Sequence, residues 1–188
     1  MNFRTLLNRA YNIVFHSRQE WNVVLQENAS EKELFRSYAL PWMLCCVSIT
    51  AIFKGIYAPH FVVPFFITFV IESITLFGAY FLASYAGYYL ISKLIPNSFT
   101  QRDITTLVTY ASTIFWAIEI LVAVVPEWIF AKCLSLAIAY VLWGANKAVV
   151  DIPEQKQEIF VVLLTLIIIL VVPIIRTMAM GLLPNIHL

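Results

Sequence analysis

Five ionisable side chains lie inside long apolar stretches of this 188-residue chain. These residues are Lys54, Glu72, Glu119, Lys132 and Arg176. A charged group at the centre of a membrane costs about 2.5–3.5 kcal/mol on insertion scales, so such groups face the interior of a helix bundle, water or one another. Two kinds of chemistry follow. The charges line a hydrated pathway for a proton, an ion or a lipid headgroup, or they pair and fix how the helices pack.

The spacing of these charges favours pairing. Glu119 lies seven residues before Pro126 and Lys132 lies six residues after it, so a tight turn at Pro126 brings both to the same depth. Glu72 and Arg176 lie at comparable distances from the outer ends of their predicted helices. We therefore predict the ion pairs Glu119–Lys132 and Glu72–Arg176. The remaining lysine, Lys54, is expected near the outer surface. There its side chain either extends toward water or binds an anionic headgroup.

Other reactive residue types carry no recognisable site. The sequence lacks GxSxG, HExxH, a Walker-type loop and a Gly-rich dinucleotide turn. The histidines occur singly, at His16, His60 and His187. The cysteines lie in apolar runs without CxxC spacing, at Cys45, Cys46 and Cys133. We therefore expect a protein that is not an enzyme and that has no metal and no cofactor.

The elements that position the charges are membrane helices. The chain is 61% hydrophobic and 12% charged, whereas soluble domains are about 45–50% apolar and about 25% charged. The lipid bilayer is thus the expected surrounding. The net charge of +1 gives no field that would attract nucleic acid. Runs of at least about 20 apolar residues predict five spans, at residues 37–57, 62–94, 104–125, 127–150 and 158–183.

The predicted fold class is therefore all-α, a five-helix transmembrane bundle at residues 37–188 preceded by short interfacial helices at residues 1–36. In the second span, Ala79, Ala83 and Gly87 recur every four residues along roughly the stripe of Glu72. Small residues at this spacing let another helix backbone approach closely. The second helix is therefore expected to pack centrally.

The N-terminal region is amphipathic. Apolar residues recur at helical spacing over residues 3–14, opposite Arg4 and Arg9. Such a helix lies in the headgroup region with its arginines toward phosphate, or it packs on a partner or on the bundle; the pattern leaves these alternatives open. Capping boxes begin at Ser17 and Ser30. We predict that Arg4 and Arg9 contact lipid headgroups and that Trp21 anchors the region at the membrane surface. A signal peptide needs an uninterrupted apolar core. Polar residues interrupt any such core here, namely Arg4, Asn8, Arg9, Asn12 and Arg18.

Charge distribution predicts the orientation. Nine of the 12 basic residues flank the same side of the predicted spans. They are Arg4, Arg9, Arg18, Lys32, Arg36, Lys93, Arg102, Lys147 and Lys156. By the positive-inside rule this side is cytoplasmic. The N-terminus is then inside and, with five spans, the C-terminus is outside.

Four short stretches carry a resemblance to a known family. They are Glu20-Trp21 followed by Tyr38-Ala39-Leu40-Pro41, then Leu-Val-Thr-Tyr-Ala-Ser at residues 107–112, Tyr-Val-Leu-Trp-Gly at residues 140–144, and Pro-Glu-Gln-Lys at residues 153–156. In this order and spacing the chain resembles the Yip1 family of five-span membrane proteins, in its bacterial form. The resemblance implies a cytoplasmic N-terminal region, five packed helices and the bacterial inner membrane.

Eukaryotic members of that family are linked to small GTPases and to vesicle traffic between the endoplasmic reticulum and the Golgi. The Asp-Leu-Tyr-Gly-Pro stretch that precedes their first span is absent here, where Phe-Arg-Ser-Tyr-Ala-Leu-Pro stands at residues 35–41. Their trafficking function is therefore not carried over to this chain.

Two functional hypotheses remain. The leading one is a non-enzymatic adaptor or organiser that engages lipids or other membrane proteins through its N-terminal helices and the loop at residues 153–156. The alternative is a transporter or channel subunit that uses Glu72, Glu119, Lys132 and Arg176 as a relay or binding site.

Overall fold

A computed structural model describes residues 3–96, 99–145 and 152–181. These ranges hold seven helices and no strand. The helices are α1 (Phe3–Phe15), α2 (Ser17–Glu27), α3 (Glu31–Tyr57), α4 (Val62–Leu94), α5 (Gln101–Val124), α6 (Pro126–Ala145) and α7 (Glu154–Gly181). The predicted all-α class is confirmed.

The last five helices, α3 to α7, are long and apolar enough to cross a membrane, with 20 to 33 residues each. The chain is thus a membrane protein with several spans. The third and fifth membrane helices, α5 and α7, begin a few residues earlier than predicted, at Gln101 and Glu154. The predicted ends at residues 150 and 183, together with Lys147 and His187, lie outside the described residues.

The first membrane helix starts with the predicted capping box. The Ser30 hydroxyl accepts from the backbone N–H of Glu33, and the Glu33 carboxylate accepts from the backbone N–H of Ser30. A π-helical turn at Phe35–Ala39 follows and leads directly into the segment with Pro41. Because α3 runs continuously through residue 36, no break separates the N-terminal region from the bundle at this point.

Helix α5 is the centre of the bundle. Two thirds of its most apolar stretch, 67%, is buried, against 28–44% in the other four membrane helices. Helices α3, α4 and α6 pack around it, and α7 packs against α4 and α6. A capping box between Thr100 and Asp103 sets the first turn of α5.

The small residues of α4 face inward as predicted. Ala79, Ala83 and Gly87 are all buried. A Cβ atom added to Gly87 would lie 3.1 Å from Ile104 Cγ2 on α5 and 3.1 Å from Leu164 Cδ1 on α7. This glycine therefore permits the close approach of three helices.

Helix α6 departs from the uniform helix that its apolar pattern suggests. Pro126–Leu136 is a 3₁₀ helix with non-helical backbone angles at Trp128, and Ala137–Ala145 is an α-helix. A 3₁₀ helix rises about 2.0 Å per residue, compared with about 1.5 Å in an α-helix. The 20 residues of α6 consequently reach about 35 Å, which spans the roughly 30 Å of hydrocarbon.

Replacing Gly87 by valine should destabilise the bundle by about 1–3 kcal/mol, because the added methyl groups overpack the contact between α4, α5 and α7. The measurement is the free energy of unfolding of the purified protein in mixed detergent micelles. Gly181→Val is the matched control, since no atom of the described residues lies within 4 Å of a Cβ at that position. Equal stability of the two variants would show that α4 does not pack as described.

Candidate functional site

The four intramembrane charges on α4 to α7 form one connected charge network, consisting of Glu72, Glu119, Lys132 and Arg176. Arg176 Nη2 lies 2.9 Å from Glu72 Oε2 and 3.2 Å from Glu119 Oε2. Lys132 Nζ lies 3.2 Å from Glu119 Oε1. Both predicted pairs are present. Spacing along the chain did not predict the ion pair between Arg176 and Glu119. This ion pair joins the two predicted pairs into one network across four helices.

The charge network is neutral, with two carboxylates and two cations. Its side chains are 13% exposed at Glu72, 10% at Glu119 and 20% at Arg176, whereas Lys132 is 42% exposed. Three members are therefore in the interior of the bundle, and Lys132 lies at the exposed edge of the network. The fifth predicted charge, Lys54, is exposed and has no ion pair within the described residues.

Arg176 has more donors than its partners use. Both of its ion-pair hydrogen bonds come from Nη2. Its Nε is buried and has no hydrogen-bond partner among the described residues. A buried donor left unpaired costs about 1–3 kcal/mol. The guanidinium, which carries five N–H donors, is thus only partly satisfied by the two carboxylates.

A cavity of about 220 Å³ adjoins the charge network and is called the network cavity below. Its lining comprises Phe115, Ile118, Glu119, Lys132, Ser135, Ile169, Val172, Pro173 and Arg176. Liquid water takes up about 30 Å³ per molecule, so this volume accommodates several small polar groups. A separate void beneath it, which also touches Phe115 and Val172, measures only about 10 Å³.

A second ion cluster fastens α1 to the rest of the protein. Arg9 Nε lies 2.8 Å from Glu20 Oε1, and Arg9 Nη1 donates to Glu27 Oε2 at 2.8 Å. The same guanidinium donates to the Tyr110 hydroxyl of α5 at 3.4 Å and lies 6.0 Å from the centre of the Tyr110 ring, within cation–π range.

The predicted role of Arg9 in headgroup contact is therefore wrong. Its side chain is only 13% exposed and is bound to two carboxylates. An amphipathic pattern places an arginine on the polar face of a helix, but it does not show that α2 covers this face. Arg9 and Glu27 lie on different helices, so helical spacing could not reveal their pairing.

The predicted membrane anchor at Trp21 is also wrong, because this side chain is fully buried. Its indole N–H donates to the carbonyl of Val141 on α6 at 3.0 Å. The Ser17 hydroxyl donates to the same carbonyl at 3.1 Å. The predicted capping box is not formed, because the backbone N–H of Glu20 donates to the His16 carbonyl and the Glu20 carboxylate pairs with Arg9. A Cβ at Gly144 would lie 2.5 Å from Ser17 Oγ, and this glycine is what lets α2 pack so closely on α6.

Two further basic residues fasten loops at the same end of the bundle. Arg102 Nε donates to the carbonyl of Ala29 at 2.8 Å and its Nη1 donates to Asn28. Lys156 Nζ donates to the carbonyl of Leu94 at 2.8 Å. Residues 153–156, predicted to be a loop and a partner surface, are exposed beside the end of α4, but residues 154–156 form the first turn of α7.

Helix α1 packs on the bundle, one of the alternatives that its amphipathic pattern left open. Leu6, Ala10 and Ile13 are buried, and α1 packs on α5. A different stripe faces outward and is called the α1 outer stripe. It consists of the exposed residues Arg4, Leu7, Tyr11 and Phe15. Arg4 therefore keeps an exposed position, and three apolar side chains lie along the same face of the helix.

Comparison with known proteins adds one result. The family model described as Yip1 domain matches residues 11–175. This stretch includes Glu72, Glu119 and Lys132, and it ends at the residue before Arg176. Neither the curated proteins nor the solved structures give a significant match.

Replacing Arg176 by glutamine should destabilise the protein by about 3–5 kcal/mol, because two interior carboxylates lose their shared partner. The double variant Glu72→Gln/Arg176→Gln should lose less than the sum of the single variants. The measurement is again the free energy of unfolding in mixed micelles. Lys54→Gln is the matched control and should stay near wild type. Additive effects of Glu72→Gln and Arg176→Gln would contradict the pairing.

The contact between Arg9 and Glu27 predicts a pH dependence. Hydrogen bonds from Arg9 hold the pKa of the Glu27 carboxyl below its usual range, against the opposing effect of burial. The same contact raises the pKa of Arg9. Because the carboxyl pKa is lower in the folded chain, its stabilising effect is complete above the unfolded value of about 4.3 and is lost as the pH falls through the folded value.

Glu27→Gln should therefore lower the melting temperature at pH 7, and the difference from wild type should vanish as the pH falls below about 4. Since the Glu27 side chain is 44% exposed, we expect the effect to be no more than about 1 kcal/mol. Glu158→Gln, an exposed change on α7, serves as the control. A difference between wild type and Glu27→Gln that does not change with pH would contradict the ion pair.

Proposed function

The chain belongs to the Yip1 domain family, and we propose that it acts as a non-enzymatic adaptor or organiser in the membrane. In this role its N-terminal end engages lipid headgroups or other membrane proteins, and the five membrane helices provide a fixed scaffold. The observation that supports the proposal is the way in which α1 and α2 are fastened to the bundle.

A segment that only binds lipid requires no fixed connection to the helices beside it. Here Arg9 ties α1 to α2 and α5, and Trp21 ties α2 to α6. Arg102 adds a third connection between α5 and the start of α3. The α1 outer stripe consequently holds a constant position relative to the bundle. A fixed apolar stripe with a cation at one end suits the membrane interface or the groove of a partner helix.

The proposed orientation places this end in the cytoplasm, and the bacterial inner membrane is the proposed location. Exposed basic residues gather at the ends of helices that meet here, in agreement with the positive-inside rule. They are Arg4, Arg18, Lys32, Arg36, Lys93 and Lys156.

The transporter or channel alternative draws its support from the network cavity, which touches Glu119, Lys132 and Arg176. Two features weigh against a pathway. The charge network is neutral and internally paired. The void beneath the cavity, about 10 Å³, has room for about one water molecule, and Ala83 in its lining belongs to the closely packed stripe of α4.

A photo-reactive amino acid at Tyr11 tests the proposal in native membranes. We expect Tyr11, on the α1 outer stripe, to give a reproducible set of crosslinked proteins or lipids. Leu166, which is 46% exposed on α7, is the control for random contact with neighbouring lipid and protein. Adding Arg9→Ala should release α1 and reduce the Tyr11 products several-fold while the Leu166 products remain the same.

Identical products at Tyr11 and Leu166 would overturn the organiser proposal. The transporter or channel alternative is tested in proteoliposomes made from the same protein. Flux of protons or ions that is present in wild type and lost in Glu72→Gln would favour the transporter.

A further inference from the structure

The network cavity changes from apolar to charged along the direction of the membrane normal. On α5, Phe115 and Ile118 precede Glu119, which is nearer the end of the helix at Val124. On α7, Val172 likewise precedes Arg176, which is nearer the end at Gly181. Both walls are thus apolar on the deeper side and charged on the side nearer the membrane surface. A phospholipid has this same polarity profile.

The depth of the charged end matches the lipid headgroup boundary. Glu119 lies five residues from the end of its helix, which is about 7.5 Å at 1.5 Å per residue, and Arg176 lies at the same depth because its Nη2 is 3.2 Å from Glu119 Oε2. The interfacial layer on each side of the hydrocarbon is roughly 5–8 Å thick. With the end of α5 at the outer edge of this layer, the charged end of the cavity lies at its inner edge, beside the glycerol and phosphate of a lipid in that leaflet.

The charged lining also has donors available for an anion. Arg176 Nη1 makes no hydrogen bond within the described residues. Lys132 contributes an ammonium on a side chain that is 42% exposed, and its one ion pair is to Glu119. The lining holds the two cations Lys132 and Arg176 and the carboxylate of Glu119, and Glu72 makes the network as a whole neutral. A phosphodiester would therefore bind through the unused N–H donors of the two cations, without a net positive charge.

We propose that the network cavity binds one phospholipid, with the phosphate between Lys132 and Arg176 and the first part of an acyl chain against Phe115, Ile118 and Val172. The 3₁₀ segment of α6 forms the wall that carries Lys132. Arg and Lys side chains are the usual partners of phosphate in proteins, Arg through paired N–H groups and Lys as a point charge. This site lies at the opposite end of the bundle from the α1 outer stripe and goes beyond the organiser proposal, so either can fail without the other.

The test uses the full chain in a mild non-ionic detergent after delipidation. Four probes are titrated and followed by native mass spectrometry and melting temperature. They are dihexanoylphosphatidylcholine, glycerophosphocholine, inorganic phosphate and dihexanoylglycerol. We expect one molecule of the phospholipid to bind and to raise the melting temperature. The glycerol lipid without phosphate and the two probes without acyl chains should bind at least about tenfold more weakly.

Two variants, each with a matched control, locate the binding site. Lys132→Gln should weaken phospholipid binding at least about tenfold, whereas Lys54→Gln, an exposed lysine outside the charge network, should bind as wild type does. Val172→Phe should block the cavity and abolish binding, whereas Leu170→Phe, at a site that is 52% exposed on the same helix, should not. The melting temperature of each variant without probe confirms folding, and the cavity-filling pair remains informative if Lys132→Gln is unstable.

Three results would overturn the proposal. Inorganic phosphate that binds as tightly as the phospholipid would make this an anion site without lipid. Dihexanoylglycerol that binds equally well would make it an apolar groove. Equal phospholipid binding by wild type and by both Lys132→Gln and Val172→Phe would place the lipid elsewhere.

Discussion

A carboxylate without a partner is far less stable inside a membrane than in water. This chain carries two carboxylates within its membrane helices, Glu72 and Glu119, on neighbouring helices. One guanidinium, that of Arg176, reaches both. Three membrane helices must therefore keep their relative rotation and depth for the two acids to remain paired. Lys132 extends the same requirement to α6. The packing of small residues along α4 brings the backbones close, and the charge network selects the register in which they meet.

The other end of the bundle is fastened by closely related chemistry. Arg9 binds Glu20 and Glu27 and also touches Tyr110, so one arginine again satisfies two acids. Both clusters contact α5, the most deeply buried membrane helix. At the N-terminal end the arginine cluster is reinforced by Trp21 and Ser17 on one carbonyl of α6. The result is a bundle in which α1 and α2 form an integral part of the scaffold.

Much of this arrangement could be predicted from the sequence, because the membrane leaves few alternatives. Apolar length defined the five spans, and the expense of an unpaired charge identified the pairs Glu119–Lys132 and Glu72–Arg176. The capping boxes at Ser30 and Thr100 were predictable for a local reason, since both partners lie three residues apart. The third contact, from Arg176 to Glu119, depends on how α5 and α7 are placed around α4, and no spacing within one helix encodes it.

The errors have a common physical origin. Arg9 and Trp21 were assigned to the membrane surface because amphipathic patterns distinguish polar from apolar faces and do not identify what covers each face. Both residues are covered by other protein segments that are distant in sequence. The 3₁₀ geometry of Pro126–Leu136 was equally hidden, because an apolar run of that length is compatible with either type of helix.

The most direct test of the account is a side-chain-resolved structure of the full chain in a lipid nanodisc. We expect the Arg176 guanidinium to lie between Glu72 and Glu119, with Lys132 beside Glu119 and lipid phosphate density next to both cations. An Arg176 side chain that points into water or bulk headgroups, with Glu72 and Glu119 lining a continuous file of water through the bundle, would contradict it.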